Sequence, residues 1–230
     1  MPERLDEAPV RPHRRTHRRR RSLDADRATP LRNICGVRLA AQLSGAPERY
    51  RPNIGVAVLA GLRQQEVLGL RWREIDFKNG VLKSHPVRLK TKAGIRDVVL
   101  LPDLAVLLQE HLRAVEASRE LPRADDFVFT TATGSPMNYR NVSTRGLDNA
   151  AKNAKLNRFG LPRLTFHDLR HTYGSHLAQS GLDPVGVQRQ LGHARPSITM
   201  DLYVHEFETA RRRDQVGERL VAALGGLVPR

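Results

Sequence analysis

Between Thr165 and Thr172 the chain reads Thr-Phe-His-Asp-Leu-Arg-His-Thr, a spacing that gathers polar chemistry at the start of one helix. Thr165, followed three residues later by Asp168, fits a capping box, which puts His167 in the first helical turn. Arg170 lies three residues further on, so His167 and Arg170 share a face where unpaired amides and the helix dipole favour an anion. A phosphate fits there. A metal is the competing reading, because His167 and His171 stand four apart as in the HExxH zinc motif. Against it, Asp168 replaces the Glu that serves as base in that motif, and Arg170 sets a cation beside the metal. Capping and packing by the histidines alone is the third reading.

The elements that must position this segment follow from periodicity. Helical spacing begins near Val37 with Leu39, Ala40 and Leu43, and breaks at Ser44 to Pro47. A second helix is expected over Pro52–Ala60, interrupted by Gly61, with helical periodicity resuming from Arg63 to Trp72. Asn79-Gly80 signals a turn, and the aliphatic, β-branched stretches Val81–Leu89 and Ile95–Leu101 read as a small antiparallel sheet with Lys92-Ala93-Gly94 between them. Asp103–Ala117 is an amphipathic helix with Asp103 as its expected cap, and Phe127–Thr130 a short edge strand. Helices are expected at 138–155, 165–179, 184–191, 197–205 and 206–223, the Asp183-Pro184 start and the Gly192 end being cap signals. The fold class is therefore mainly α with a small antiparallel β-sheet (α+β).

Charge narrows the partner. The 230 residues hold 39 Lys and Arg against 24 Asp and Glu, a net +15 that favours a polyanion, with nucleic acid ahead of an anionic membrane surface. Residues 1–32 carry ten Arg against five acids, so ten of the fifteen excess charges fall on the remainder, and the globular part is basic in its own right. Within residues 11–21, Arg11, Arg14, Arg15, Arg18, Arg19, Arg20 and Arg21 occur with no acid, a self-repelling block expected to stay unfolded and suited either to wrapping phosphates or to no dedicated role. The lone Cys35 cannot form an internal disulfide, and the longest apolar run, Ile54–Leu62, is far short of the roughly 20 residues a membrane span needs. A cytoplasmic protein without a membrane partner is the expectation.

Four further stretches stand in order around the histidine segment: Gly61-Leu62-Arg63-Gln64-Gln65-Glu66, Thr91-Lys92 in a hairpin, Leu191-Gly192-His193, and Tyr203-Val204-His205. With His167-Asp168-Leu169-Arg170 they resemble the phage-integrase family of tyrosine recombinases, over about Val37 to Phe207. Each tripeptide alone is common; their shared order and separations make the combination specific. The resemblance implies the phage-integrase catalytic fold and a DNA phosphodiester as the anion. Cleavage without water or metal needs a nucleophile, stabilisation of transition-state charge and a proton for the leaving oxygen. The resemblance gives Tyr203 as nucleophile, forming a 3′-phosphotyrosine and a free 5′-hydroxyl. It gives Arg63 and Arg170 as the clamp on the nonbridging oxygens, since a guanidinium is bidentate and always charged. His193 is a further donor, His167 the general base, and Lys92 the general acid. Glu66, three residues after Arg63, is expected to orient Arg63. No cofactor and no metal are implied. The implied partners are double-stranded DNA and further copies of the chain, as a homo-oligomer (a tetramer) on that DNA.

The chain also departs from the family pattern. Members usually carry an N-terminal helical domain that completes a clamp around DNA, whereas about 36 residues precede the match here. The expected organisation is an Arg-rich arm over 1–36 and a catalytic domain over 37–230, without that core-binding domain. The reading is a DNA-cleaving and rejoining recombinase, complete or truncated; the alternative is a noncatalytic or remnant DNA-binding protein derived from an integrase.

Overall fold

The computed structural model describes residues 43–85, 95–118, 121–156 and 163–224. The arm over 1–36, the helix expected from Val37 as far as residue 42, and the hairpin tip with Lys92 lie outside the described residues; residues 43–45 are helical, so that helix ends at Gly45, just past the start of the expected break at Ser44.

A 3-10 turn at Glu48–Tyr50 leads into α1 (Arg51–Leu59), whose residues from Pro52 to Val58 are all buried. A helix apolar all round belongs at the centre of a core, and α1 packs against the helices Pro102–Ser118 and Phe166–Gln179. The chain then turns through Gly61, whose φ of +61° is the left-handed region and whose position leaves a Cβ only 2.2 Å from the Tyr173 ring. Glycine is required there on both counts. α2 (Gln64–Gly69) follows, and a 3-10 turn at Trp72–Glu74 replaces the end of the longer helix expected to Trp72, because Leu70 and Arg71 are extended.

The sheet has three strands in the order β1 (Ile75–Asp76), β2 (Val81–Ser84), β3 (Arg96–Val99), all antiparallel. The Asn79-Gly80 turn is fastened by Asp76, which accepts from the Asn79 amide at 2.9 Å and from its side chain at 2.7 Å. Pairing of Leu82 with Val98 and of Ser84 with Arg96 sends those four side chains inward, as a two-residue period requires. β1 is an addition to the two strands expected.

α3 (Pro102–Ser118) buries Leu104 and Leu108. It begins one residue early, so Asp103 sits in its first turn, where the dipole favours an acid, and not at the cap. The expected edge strand at Phe127–Thr130 reduces to isolated bridges, Arg71 to Phe127 and Thr130 to Pro136, while Val128 and Phe129 are fully buried. The helix expected over 138–155 is divided into α4 (Tyr139–Asn141), a π-helical stretch (Val142–Leu147) and α5 (Asp148–Asn153). α6 (Phe166–Gln179) and α7 (Pro184–Leu191) match expectation, with Thr165 and Asp183 as caps. The two final helices merge into α8 (Pro196–Leu224), interrupted only by non-helical angles at Tyr203, φ −124° and ψ 17°.

Two apolar clusters result. The larger gathers α1, α2, the sheet, α3 and the start of α6; the smaller holds Tyr173, Ala178, Val187, Leu191 and Tyr203, flanked by Leu177, Leu182, Leu202 and Phe207. No helix among the described residues is long and apolar enough to cross a membrane.

Candidate active site

The capping box forms as spaced: the Thr165 amide donates to Asp168 Oδ2 at 2.7 Å, and the Asp168 amide donates to Thr165 Oγ1 at 3.3 Å. Beside this helix start opens a cavity of about 380 Å³ lined by Arg63, Gln64, Gln65, Ser143, Arg163, Leu164, Thr165, Phe166, His167 and Arg170. Gln64 is fixed by donating to the Tyr139 carbonyl and Ser143 Oγ, both at 2.8 Å, which ties the π-helical stretch to the rim. Arg163 is paired with Asp148 at 2.7 Å.

Two arginines reach this cavity from different elements. Arg170, on α6, is buried and donates to the Gly61 carbonyl at 2.6 Å and to the Leu191 carbonyl, joining the turn before α2 to the end of α7. Burial, then repulsion from Arg63 and Arg96, push its pKa down to about 9, with Glu66 and Tyr203 acting the other way, so it stays charged at neutral pH. Arg63, at the start of α2, remains partly exposed and donates to Glu66 at 2.9 Å and to the Gly192 carbonyl at 3.2 Å.

Glu66 does more than orient Arg63. Its carboxylate also receives both terminal nitrogens of Arg96, at 3.2 and 3.0 Å, the two side chains being 3% and 6% exposed. Burial works to raise the Glu66 carboxyl, but the hydrogen bonds and charges of Arg96 and Arg63 outweigh it and bring it down to about 2. Arg96 Nε in turn donates to the Gln190 carbonyl at 2.8 Å, underneath the Gly192 cap. Arg96 is thus a member of the site that motif spacing missed. The signal for it was present: in the register that turns Val98 inward, Arg96 is inward too.

His193 follows the Gly192 cap, its amide donating to the Gln188 carbonyl at 3.2 Å and its Nδ1 lying 2.9 Å from Thr199 Oγ1. Burial and the nearby charges of Arg170 and Arg63 press its pKa from 6.5 to about 3, so the imidazole is neutral at pH 7. Tyr203 is 1% exposed, and its hydroxyl lies 3.1 Å from Nδ1 of His171. His171 meets His167 edge to face, ring centroids 4.4 Å apart. The structure therefore brings Arg63, Glu66, His167, Arg170, His193 and Tyr203 into one connected neighbourhood. It places His171, which the sequence offers as a zinc ligand or as a capping and packing residue, on the Tyr203 hydroxyl. Among the described residues no group of three or more His, Cys, Asp or Glu could hold a metal ion. Lys92 lies outside the described residues.

Comparison with known proteins decides the family. The model of the phage integrase family matches residues 31–209. The chain belongs to the phage integrase family. Among curated relatives it is 32% identical over 175 residues to a tyrosine recombinase XerC-like protein of Caldanaerobacter subterraneus subsp. tengcongensis, covering 63% of this chain and 42% of that one. It is 31% identical to the tyrosine recombinase XerC of Xanthomonas axonopodis pv. citri, covering 80% and 53%. The chain spans about half the length of the curated relatives it matches. In fold it is similar to the XerA recombinase, with a TM-score of 0.61 at 20% identity, covering 84% of this chain and 63% of that one. It is likewise similar to the Tn1549 transposon integrase in complex with circular intermediate DNA, with a TM-score of 0.63 at 23% identity, covering 81% and 66%. The mainly helical architecture with a small antiparallel sheet is that of this family.

Proposed function

We propose that this chain, over residues 37–230, is the catalytic domain of a site-specific recombinase that cleaves and rejoins double-stranded DNA through a 3′-phosphotyrosine at Tyr203. The observation that carries the reading is convergence: Arg63 and Arg170, from separate elements, line one cavity at the start of α6, and the same helix one turn later holds the Tyr203 hydroxyl. The phenolic oxygen forms a bond to phosphorus as the bond from phosphorus to the 5′ oxygen breaks. The tyrosine proton passes to a base, His167 by family resemblance, and Lys92 protonates the departing oxygen. One ester replaces another, so rejoining needs no nucleotide. Arg63 and Arg170 take the nonbridging oxygens, and neutral His193 adds a donor from Nε2 when Thr199 donates to its Nδ1. The protein works in the cytoplasm as a homo-oligomer, a tetramer, on DNA, and the Arg-rich arm of residues 1–36 adds phosphate contacts.

A nicked suicide duplex carrying the protein's site, selected from random duplexes by binding, tests this. The expected result is a covalent adduct at a 3′ phosphate that disappears in Tyr203→Phe. An adduct in that variant, or one on a 5′ phosphate, overturns the assignment. The burial of Tyr203 favours a second reading, a noncatalytic DNA-binding protein, which predicts binding with no adduct. For Lys92, sulfur in place of the bridging 5′ oxygen should restore cleavage to Lys92→Ala alone, because a thiolate (thiol pKa about 8.5) leaves without a proton. Equal rescue of Arg63→Ala and Arg170→Ala, or rescue of none, removes Lys92 from the acid role.

A further inference from the structure

We propose that His171 is a positioning residue for the nucleophile: its Nδ1 holds the Tyr203 hydroxyl in a buried resting seat, and that bond opens before attack on a phosphate. The inference rests on the reading of Tyr203 as nucleophile. Three observations carry it.

The first is the seat itself. Tyr203 is fully packed in the smaller apolar cluster, and its hydroxyl is 3.1 Å from His171 Nδ1. The second is its shape: a Cβ on Gly174 would lie 2.4 Å from the Tyr203 hydroxyl oxygen, so α6 omits a side chain where that oxygen rests. The third is the backbone. Tyr203 alone breaks the helical angles of α8, and one turn beyond it Glu206 accepts from Ser175 on α6 at 3.0 Å. His171 and Ser175 on one helix thus face Tyr203 and Glu206 on the other, the first pair gripping the nucleophile and the second anchoring the helix beyond the kink.

In-line attack needs the phenolic oxygen about 3 to 3.5 Å from phosphorus, which a side chain sealed at 1% exposure cannot reach on a duplex outside. The kink confines the required movement to the segment around Tyr203 while the Ser175–Glu206 clasp holds the rest of α8. Histidine suits the hold: an imidazole nitrogen and a phenol form one ordinary hydrogen bond, whose small net worth makes it exchangeable. His171 also touches His167, which lines the cavity, so the hold and the anion site are one contact apart.

Nitration of the full chain by tetranitromethane without DNA, mapped by mass spectrometry, reads the seat. Tyr139, 58% exposed, is the internal reference, and buried Tyr173 reports whether the fold is intact. His171→Phe should raise labelling of Tyr203 relative to Tyr139 about tenfold, because the hydroxyl loses the hydrogen bond that His171 makes to it in the buried seat. His171→Asn, whose amide can occupy the Nδ1 position, should stay near wild type. Unchanged protection of Tyr203 in a folded His171→Phe protein overturns the proposal. So does loss of the covalent adduct in that variant at saturating DNA, which would make His171 the proton acceptor. If Tyr173 becomes labelled too, wild-type protein decides by nitrogen NMR of its imidazoles: the His171 Nδ1 resonance should move in Tyr203→Phe, and an unmoved resonance refutes the hold. Absence of any adduct in wild type would sink the nucleophile reading while leaving the labelling contrast intact, so the two failures are distinguishable.

Discussion

The arginine side of the site and the tyrosine side are built in opposite ways. Arg170 is locked to two carbonyls whose residues lie 109 and 21 positions away, and Glu66 sits buried between Arg63 and Arg96. Burial first, and then repulsion from Arg63 and Arg96, hold the Arg170 pKa below its ordinary value, and that cost is met before any DNA arrives. That is the preorganisation that electrostatic stabilisation of a transition state requires. Tyr203 instead rests in a small cluster, at a break in its helix, with its hydroxyl hydrogen-bonded to His171. On the proposed function, a charge clamp gains by being rigid, and a nucleophile that severs DNA gains by being withheld. The contrast predicts that damage to the buried part of the arginine side, Arg96 and Glu66, costs folding, that loss of its exposed member Arg63 costs rate, and that damage on the tyrosine side changes access.

The largest effect should come from Arg96→Met. It removes one partner of a buried ion pair and the donor to the Gln190 carbonyl, so chemical denaturation should show a loss of about 3 to 5 kcal/mol. A loss below about 1 kcal/mol, the value of a surface pair, would break the picture of a prebuilt clamp. Next in size is Arg63→Ala. Its side chain is 44% exposed, so stability should change little while cleavage at saturating DNA falls on the order of 10²- to 10³-fold. Arg170→Ala cannot be separated in this way, since the Gly61 and Leu191 carbonyls lose their donor as the phosphate loses its own.

The two sides also differed in how far the sequence revealed them. The start of α6 was readable because a capping box is local: Thr165 and Asp168 make the turn by themselves, and His167 and Arg170 follow from a period of 3.6 residues. The Asp183 and Gly192 caps of α7 were readable for the same reason. Arg96 was not, because its partner Glu66 lies thirty residues away and the pairing depends on sheet register. His171 was visible as a residue but not in its role, because only the crossing of α6 and α8 brings it to Tyr203. The sequence pattern places a boundary between two helices after His205; packing of Tyr203 into the small core makes it a bend within one helix. Phe127–Thr130 has strand composition, yet among the described residues only single bridges pair with it.

On the tyrosine side, Gly174→Ala should cost about 1 to 3 kcal/mol as an overpacked contact. It should also raise nitration of Tyr203 with little effect on Arg96 or Glu66, which belong to the other network. A variant that loses stability with Tyr203 still protected would mean that the helices move apart as a unit, and the hold would not be local.

The smallest effect is a pH dependence that separates the two sides by window. Both shifted acids of the network have folded pKa values below their ordinary ones, His193 about 3 against 6.5 and Glu66 about 2 against 4.5. For each, the unfolded chain takes up the proton first as pH falls, so stability is full above the ordinary value and declines below it. His193 therefore acts alone of the two between pH 6.5 and 4.5, and Glu66 joins only below that. One proton bounds the slope at about 1.4 kcal/mol per pH unit, and solvent screening of a half-buried ring keeps it beneath that bound. Titrating stability from pH 7 to 5 in wild type and His193→Gln should show a shallower decline in the variant, the difference being the His193 contribution. Identical slopes would mean that His193 protonates as easily folded as unfolded, so neither its burial nor the charges of Arg170 and Arg63 would act on it. The neutral donor assigned to it beside the phosphate would then have to be given up.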